Sequence, residues 1–173
     1  MNTSLSAGRR GAVLFTDLVG FTAYTEVHGD RLAVDVLDRQ TDLVAAAIDG
    51  SGRIVKELGD GLMVWFDDPS DGFGSTLDIF AAVAEARDTA AFPLAVRMGM
   101  HVGEVVERGD DFVGHTVNIA ARVAELAGPG ELLVTEQLVR SLDGGLDPSA
   151  FRPVGPTRVK GVGVPIWLHR LAT

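Results

Sequence analysis

The chain has 173 residues, 46% of them apolar and 23% charged, enough for one well-buried core and short for two domains. Lys and Arg total 15 against 24 Asp and Glu, a formal net charge of −9, so no basic field is present to steer nucleic acid or an anionic membrane. The absence of cysteine excludes disulfides, thiolate zinc sites and cysteine nucleophiles. No apolar run approaches a membrane span, and the first residues lack the apolar stretch of a signal peptide. The expectation is a soluble cytoplasmic protein with a flexible lead-in over 1–10 and a single domain over 11–173.

Ala12-Val13-Leu14-Phe15 is a continuous apolar run that stops at Thr16-Asp17, the pattern of a strand buried on both faces. Asp30 is placed to cap a helix in which Leu32, Val36, Leu43, Ala47 and Ile48 recur at helical spacing, and Gly50-Ser51-Gly52 ends it. Strand-like runs over 54–58 and 62–66 flank Gly59-Asp60-Gly61, an Asp-Gly hairpin signal. An alanine-rich helix is predicted over about 77–90. Val96, Met98, Met100 and Val102 then alternate with Arg97, Gly99 and His101, as in a strand with one buried face.

A helix over 116–127 closes at Gly128-Pro129-Gly130. A short strand (132–135), a short helix (136–142) and a last strand pair near 151–159 and 165–171 complete the chain. The order strand, helix, strand, strand, helix, strand predicts an α+β fold. Its core is a ferredoxin-like split βαβ unit, an antiparallel sheet covered by helices, with C-terminal additions. Many unrelated functions use that architecture.

Two carboxylates stand out. Asp17 ends a buried strand and Asp60 sits at a hairpin tip. If the hairpin lies beside the first strand, both acids project from one sheet edge, where they repel unless a cation neutralises them. Two divalent ions held by carboxylates, with phosphate oxygens completing their shells, are a common arrangement for displacement at phosphorus. Taken singly, Asp17 reads more readily as a helix cap and Asp60 as a turn residue, and it is the pair with its flanking sequence that favours the metal reading.

Leu18-Val19-Gly20-Phe21-Thr22 follows Asp17, and a strand turning through glycine into a helix presents free backbone N–H groups suited to phosphate. No Walker pattern with its lysine is present. Lys56 sits inside an apolar strand four residues before Asp60, either as a functional cation or as a side chain snorkelling from an exposed face. Asn118 and Arg122 share one helix face, i and i+4, and reach the same space. The four histidines show no ligand spacing, and His115 reads as a helix-start residue.

Three segments in order, Phe15-Thr16-Asp17-Leu18-Val19-Gly20-Phe21-Thr22, Lys56-Glu57-Leu58-Gly59-Asp60-Gly61 and Asp111-Phe112-Val113-Gly114-His115-Thr116-Val117-Asn118-Ile119-Ala120-Ala121-Arg122, resemble the class III nucleotidyl cyclase catalytic domain. Val159-Lys160-Gly161 is similar to that family's final strand motif, so the resemblance runs from residue 15 to 161. The stretch over 102–110 is short beside the longer dimerisation arm of many members and resembles a bacterial subgroup.

The resemblance implies a role for each matching residue. Asp17 and Asp60 are similar to the metal-binding aspartates, with the Leu18 carbonyl a further ligand. Gly20, Phe21 and Thr22 are similar to the substrate-binding turn. Lys56 and Asp111 match the purine-reading pair, with Asp111 favoured over Asp110 by its spacing to Gly114 and Asn118. Asn118 matches the ribose-orienting residue, Arg122 the transition-state arginine, and Lys160 a triphosphate contact. The family builds its site across a dimer, so a homodimer holds two composite sites.

Adenine offers an acceptor at N1 and a donor at N6, complementing a lysine donor and an aspartate acceptor. Guanine reverses that edge, and two mispaired polar groups at roughly 1–3 kcal/mol each give about 10²–10⁴ in preference. The implied activity is conversion of ATP to 3′,5′-cyclic AMP and pyrophosphate with two Mg²⁺ or Mn²⁺ ions. The alternatives are a catalytically silent cyclase-like module that dimerises or binds nucleotide, and a diguanylate-forming transferase. All six metal, purine, ribose and transition-state positions are filled, which disfavours the first, and no Gly-Gly-Asp/Glu-Glu-Phe segment is present for the second.

Overall fold

The structure, a computed structural model, describes residues 8–142 and 148–172. Eight strands form one sheet in the order β2-β3-β1-β4-β6-β8-β7, with β5 pairing β4 outside that path. The first part is β1 (Arg9–Val19), α1 (Phe21–His28), α2 (Asp30–Ala47), β2 (Gly52–Leu58), β3 (Gly61–Phe66), α3 (Pro69–Asp88) and β4 (Ala95–Arg108). This is the predicted split unit, with β1 central between β3 and β4. β1 begins at Arg9, two residues inside the stretch read as lead-in; residues 1–7 lie outside the described part.

The additions are β5 (Asp111–Val113), α4 (His115–Leu126), β6 (Leu132–Thr135), α5 (Glu136–Ser141), a 3₁₀ turn (Pro148–Ala150), β7 (Phe151–Thr157) and β8 (Ile166–Leu171). β6 lies parallel to β4, so the sheet is not wholly antiparallel as predicted. The cause is topological: β5 and α4 intervene between β4 and β6, and a crossover of that length lets the chain re-enter in the same direction.

β1 is sealed on both faces, as its uninterrupted apolar run requires. Ala12, Leu14 and Leu18 join Leu62, Val64, Phe66 and residues of α2 and α3 in one core. Val13 and Phe15 join Met63, Trp65, Phe112 and the inner side of α4 in a second. α4 lies very close to the sheet because Gly99 has no side chain: a Cβ there would sit 2.1 Å from the Ala124 nitrogen.

Three local expectations are corrected. Asp30 is the first residue of α2 rather than its cap, which is Gly29 at φ 85°. α3 starts eight residues before the predicted 77, because Asp68 caps it by accepting from the Ser70 and Asp71 amides at 2.8 and 3.0 Å, with Pro69 in the first turn. Gly72 and Gly74 look like loop residues in the sequence, but a Cβ at 72 would strike the Phe66 ring at 2.5 Å, so Gly72 serves packing. The hairpin loop is Gly59-Asp60 rather than Asp60-Gly61, since Leu58 pairs with Gly61 and the left-handed residue is Gly59 at φ 64°.

Candidate active site

The register of the sheet brings the two aspartates together. Asp17 lies opposite Gly61 of β3, the residue that follows Asp60 around the hairpin. Asp60 is held above the usual carboxylate range, first by burial and then by the negative charge and hydrogen bonding of Asp17, with Arg97 opposing the shift. The N-cap of α1 is Gly20 and Asp17 remains in the strand, so Asp17 is no helix cap, while Asp60 does occupy the hairpin turn.

On its other side Asp17 lies opposite Arg97 of β4. Arg97 donates to Asp17 Oδ2 from Nε at 2.7 Å and from Nη2 at 2.5 Å, and from Nη1 to the Glu125 carbonyl at 3.2 Å. Sequence reasoning placed Arg97 on the outward face of a strand and gave it no role. The signal was available in part: Arg97 is a cation at the second position of the predicted strand. Equally without a role in that reading was Gln40, a buried residue of α2 that donates to Thr16 Oγ1 at 2.8 Å and fixes the residue beside Asp17.

The chemistry of this donor set fits divalent ions. Two neighbouring carboxylates carry more negative charge than one arginine balances. Leu18 is buried, so only its backbone carbonyl could join them. Among the described residues no group of three or more His, Asp or Glu side chains is arranged to hold a metal, so ligands from a substrate would have to complete the shell. Gly20, Phe21 and Thr22 form the strand-to-helix turn three residues on. Gly20 sits at φ 81°, no side chain caps α1, and its first amides stay available to an anion.

Lys56 and Asp111 meet through a second device. β2 carries a bulge between Ile54 and Lys56, which pair with Val64 and Met63 respectively. Ile54 packs on the α2–α3 side, whereas Val55 packs with Met63 on the α4 side. The extra residue turns Lys56 onto the α4 side as well, where Lys56 Nζ lies 2.7 Å from Asp111 Oδ2. Asp111 Oδ1 accepts from the Phe112 amide at 2.7 Å, which fixes the carboxylate. Asp110 occupies the β4–β5 turn and its carbonyl accepts from Arg53. The short arm is therefore a tight hairpin bound to its own β2, with Arg53 4.7 Å over the Phe112 ring.

Asn118, Arg122 and Lys160 line a third region, a cavity of about 390 Å³ that includes His115 and Glu125. Arg122 Nη1 is held by both Glu125 oxygens at 2.7 and 2.8 Å. This cavity shares no residue with the one lined by Asp60. His115 is the first residue of α4, as its helix-start reading anticipated.

The sequence pattern described as adenylate and guanylate cyclase catalytic domain matches residues 9–170. A pH-sensitive adenylate cyclase of Mycobacterium tuberculosis is 31% identical over 173 residues, covering 96% of this chain and 42% of that protein. An adenylate cyclase of Streptomyces coelicolor is 34% identical over 143 residues, covering 78% of this chain and 36% of its own length. The chain thus spans well under half of these relatives. The adenylate/guanylate cyclase/hydrolase structure from Silicibacter pomeroyi matches with a TM-score of 0.82 at 27% identity, covering 96% of this chain and 98% of that one. The adenylyl cyclase CyaB of P. aeruginosa shares the fold, with a TM-score of 0.84 at 21% identity and 97% of each chain covered. With the paired aspartates, the β2 lysine and the α4 Asn–Arg couple all falling within the matched span, the chain belongs to the adenylate and guanylate cyclase catalytic-domain family.

Proposed function

We propose that this domain is an adenylate cyclase, closing ATP to 3′,5′-cyclic AMP at two composite sites of a homodimer in the cytoplasm. The strand register that sets Asp17 opposite Gly61, next to Asp60, carries the reading, because two neighbouring carboxylates beside a phosphate-ready turn have a use in polyphosphate chemistry. The relatives that bear the name adenylate cyclase support it.

In the reaction the ribose 3′-oxygen attacks the α-phosphorus, its proton is lost, and the bond to the β-phosphate oxygen breaks to release pyrophosphate. Two divalent ions, Mg²⁺ or Mn²⁺, held by Asp17, Asp60 and the Leu18 carbonyl, would acidify the hydroxyl and offset triphosphate charge. Arg97 orients Asp17. The amides at Gly20, Phe21 and Thr22 receive phosphate oxygens. Lys56 donates to adenine N1 and Asp111 accepts from N6, which guanine cannot satisfy. Asn118 orients the ribose, Lys160 meets the triphosphate, and Arg122 meets charge that grows in the transition state.

All the residues that a composite site needs occur in one chain, so a symmetric pair of copies would hold two complete sites. The test is product formation by the purified chain from ATP or GTP, each with Mg²⁺ and with Mn²⁺. Cyclic AMP from ATP, little product from GTP, and loss in Asp17→Ala and Asp60→Ala are expected, with specific activity falling on dilution. Full activity from a monomer would remove the dimer. No cyclic nucleotide from a chain known to be dimeric would favour a silent nucleotide-binding module instead.

A further inference from the structure

A cavity of about 660 Å³, larger than the Asn118–Arg122 cleft, opens between the start of α4, α5 and the segment entering β8. Nothing in the cyclase reading uses it. Its floor contains His101 of β4, which is 3% exposed. His101 Nδ1 lies 2.8 Å from Thr135 Oγ1, and that oxygen already accepts the Leu138 amide as the cap of α5. In the tautomer in which the Thr135 hydroxyl donates to Nδ1, the neutral imidazole carries its own proton on Nε2. Burial, with the nearby positive charges of His115 and Arg10, pushes His101 down to about 4, so it is neutral at pH 7.

Nε2 has no partner among the described residues. No fully buried side-chain nitrogen or oxygen among them lacks one, which leaves Nε2–H on the cavity wall as an unused donor. Arg10 lines the same cavity and makes no ion pair among the described residues. The opposite wall is apolar: Ile119, Val164 and Trp167, the last two 69% and 53% exposed. Donors at one end and a bare apolar wall at the other define an amphipathic ligand with an acceptor head. Glu136 stands at the rim, paired with His169 and Arg140, and its charge disfavours a multiply charged phosphate over a single carboxylate.

We infer that this cavity binds a small monocarboxylate with an apolar tail, the carboxylate at His101 Nε2 and Arg10 and the tail against Val164 and Trp167. His115 and Val162 line both this cavity and the Asn118–Arg122–Lys160 cleft, so occupancy is transmitted to the first turn of α4. That transmission rests on the cyclase reading; the binding does not.

The test uses octanoate and, as the uncharged match, 1-octanol, followed by tryptophan emission without nucleotide. Trp65 is 2% exposed in the core, so a ligand-dependent blue shift reports Trp167. A saturable shift with octanoate, weaker by about tenfold or more with 1-octanol, is expected. Arg10→Gln and Val164→Glu should each weaken octanoate by a similar factor while keeping the far-UV spectrum, and Val27→Glu, on exposed α1, should not. No saturable shift up to about 10 mM octanoate, equal affinity for 1-octanol, or undiminished binding by Val164→Glu overturns the site. Saturating octanoate should change the cyclic AMP rate at least about twofold in the parent chain and not in Val164→Glu; an unchanged rate in the parent overturns the transmission.

Discussion

Arg97 of β4 lies directly across the sheet from Asp17 of β1 and grips one of its oxygens, Oδ2, with Nε at 2.7 Å and Nη2 at 2.5 Å. The pair places a cation beside an aspartate whose charge Asp60 already feels, and Arg97 opposes the upward shift of Asp60. It also makes Arg97 a competitor for any cation that Asp17 would bind. Arg97→Gln should therefore tighten Mn²⁺ binding in the absence of nucleotide by about fivefold, read by electron paramagnetic resonance. Arg97→Lys should fall between the two, keeping the charge without the fork.

Lys56 and Asp111 are each about one-third exposed, so their pair adds little stability and is available to a base edge. Lys56→Gln should leave thermal unfolding nearly unchanged. It should lower the preference for ATP over GTP by about 10–100-fold, because glutamine can accept from guanine N1 as well as donate to adenine. Initial rates with both nucleotides measure it; an unchanged ratio would remove Lys56 from base reading.

Arg122 rests on Glu125 in an exposed i,i+3 pair worth at most about 0.5 kcal/mol to the fold. Its value lies in the transition state if the proposed role holds. Arg122→Ala should cut kcat by about 10²–10³ with KM little changed. A loss confined to KM would make it a ground-state contact.

Gly99→Ala tests the close approach of α4. The added methyl would meet the Ala124 backbone at 2.1 and 2.6 Å, and a helix cannot yield as a flexible side chain does. Destabilisation of about 3 kcal/mol or more is expected by denaturant unfolding, with reduced activity because α4 carries Asn118 and Arg122. Gly163→Ala, where a Cβ meets nothing within 4 Å, is the neutral comparison.

His101 gives the fold an acid-sensitive element. Its native pKa of about 4 lies below the ordinary 6.5, so the unfolded chain binds its proton first. Its contribution is intact above pH 6.5 and is lost as pH falls from 6.5 towards 4, amounting to roughly 3 kcal/mol. Chemical unfolding across that range should show this slope in the parent chain and a flatter one in His101→Gln.

The element order and the sealed first strand could be read from sequence because each depends on local pattern, and the candidate site residues stand in local patterns too. A two-sided apolar strand, a glycine turn and an i,i+4 couple are properties of neighbouring residues. α3 starts before the predicted 77 because its cap is Asp68 and its first turn accommodates Gly72 against the Phe66 ring, a packing that no local pattern shows. Arg97 and Gln40 went unassigned because their partners, Asp17 and Thr16, are 80 and 24 positions away.

By itself, then, the sequence determined an acidic chain with a split α+β core, a strand that delivers Asp17 to a sheet edge, a hairpin that delivers Asp60, and a helix that presents Asn118 with Arg122. Tertiary structure alone decided three things. The strand register set Gly61 and Arg97 on either side of Asp17. The β2 bulge turned Lys56 to the face where Asp111 waits. The bare backbone at Gly99 let α4 settle on the sheet. Each of these is a meeting of distant segments, fixed by hydrogen-bond register and steric fit, and none of the three is written in the periodicity of any one segment.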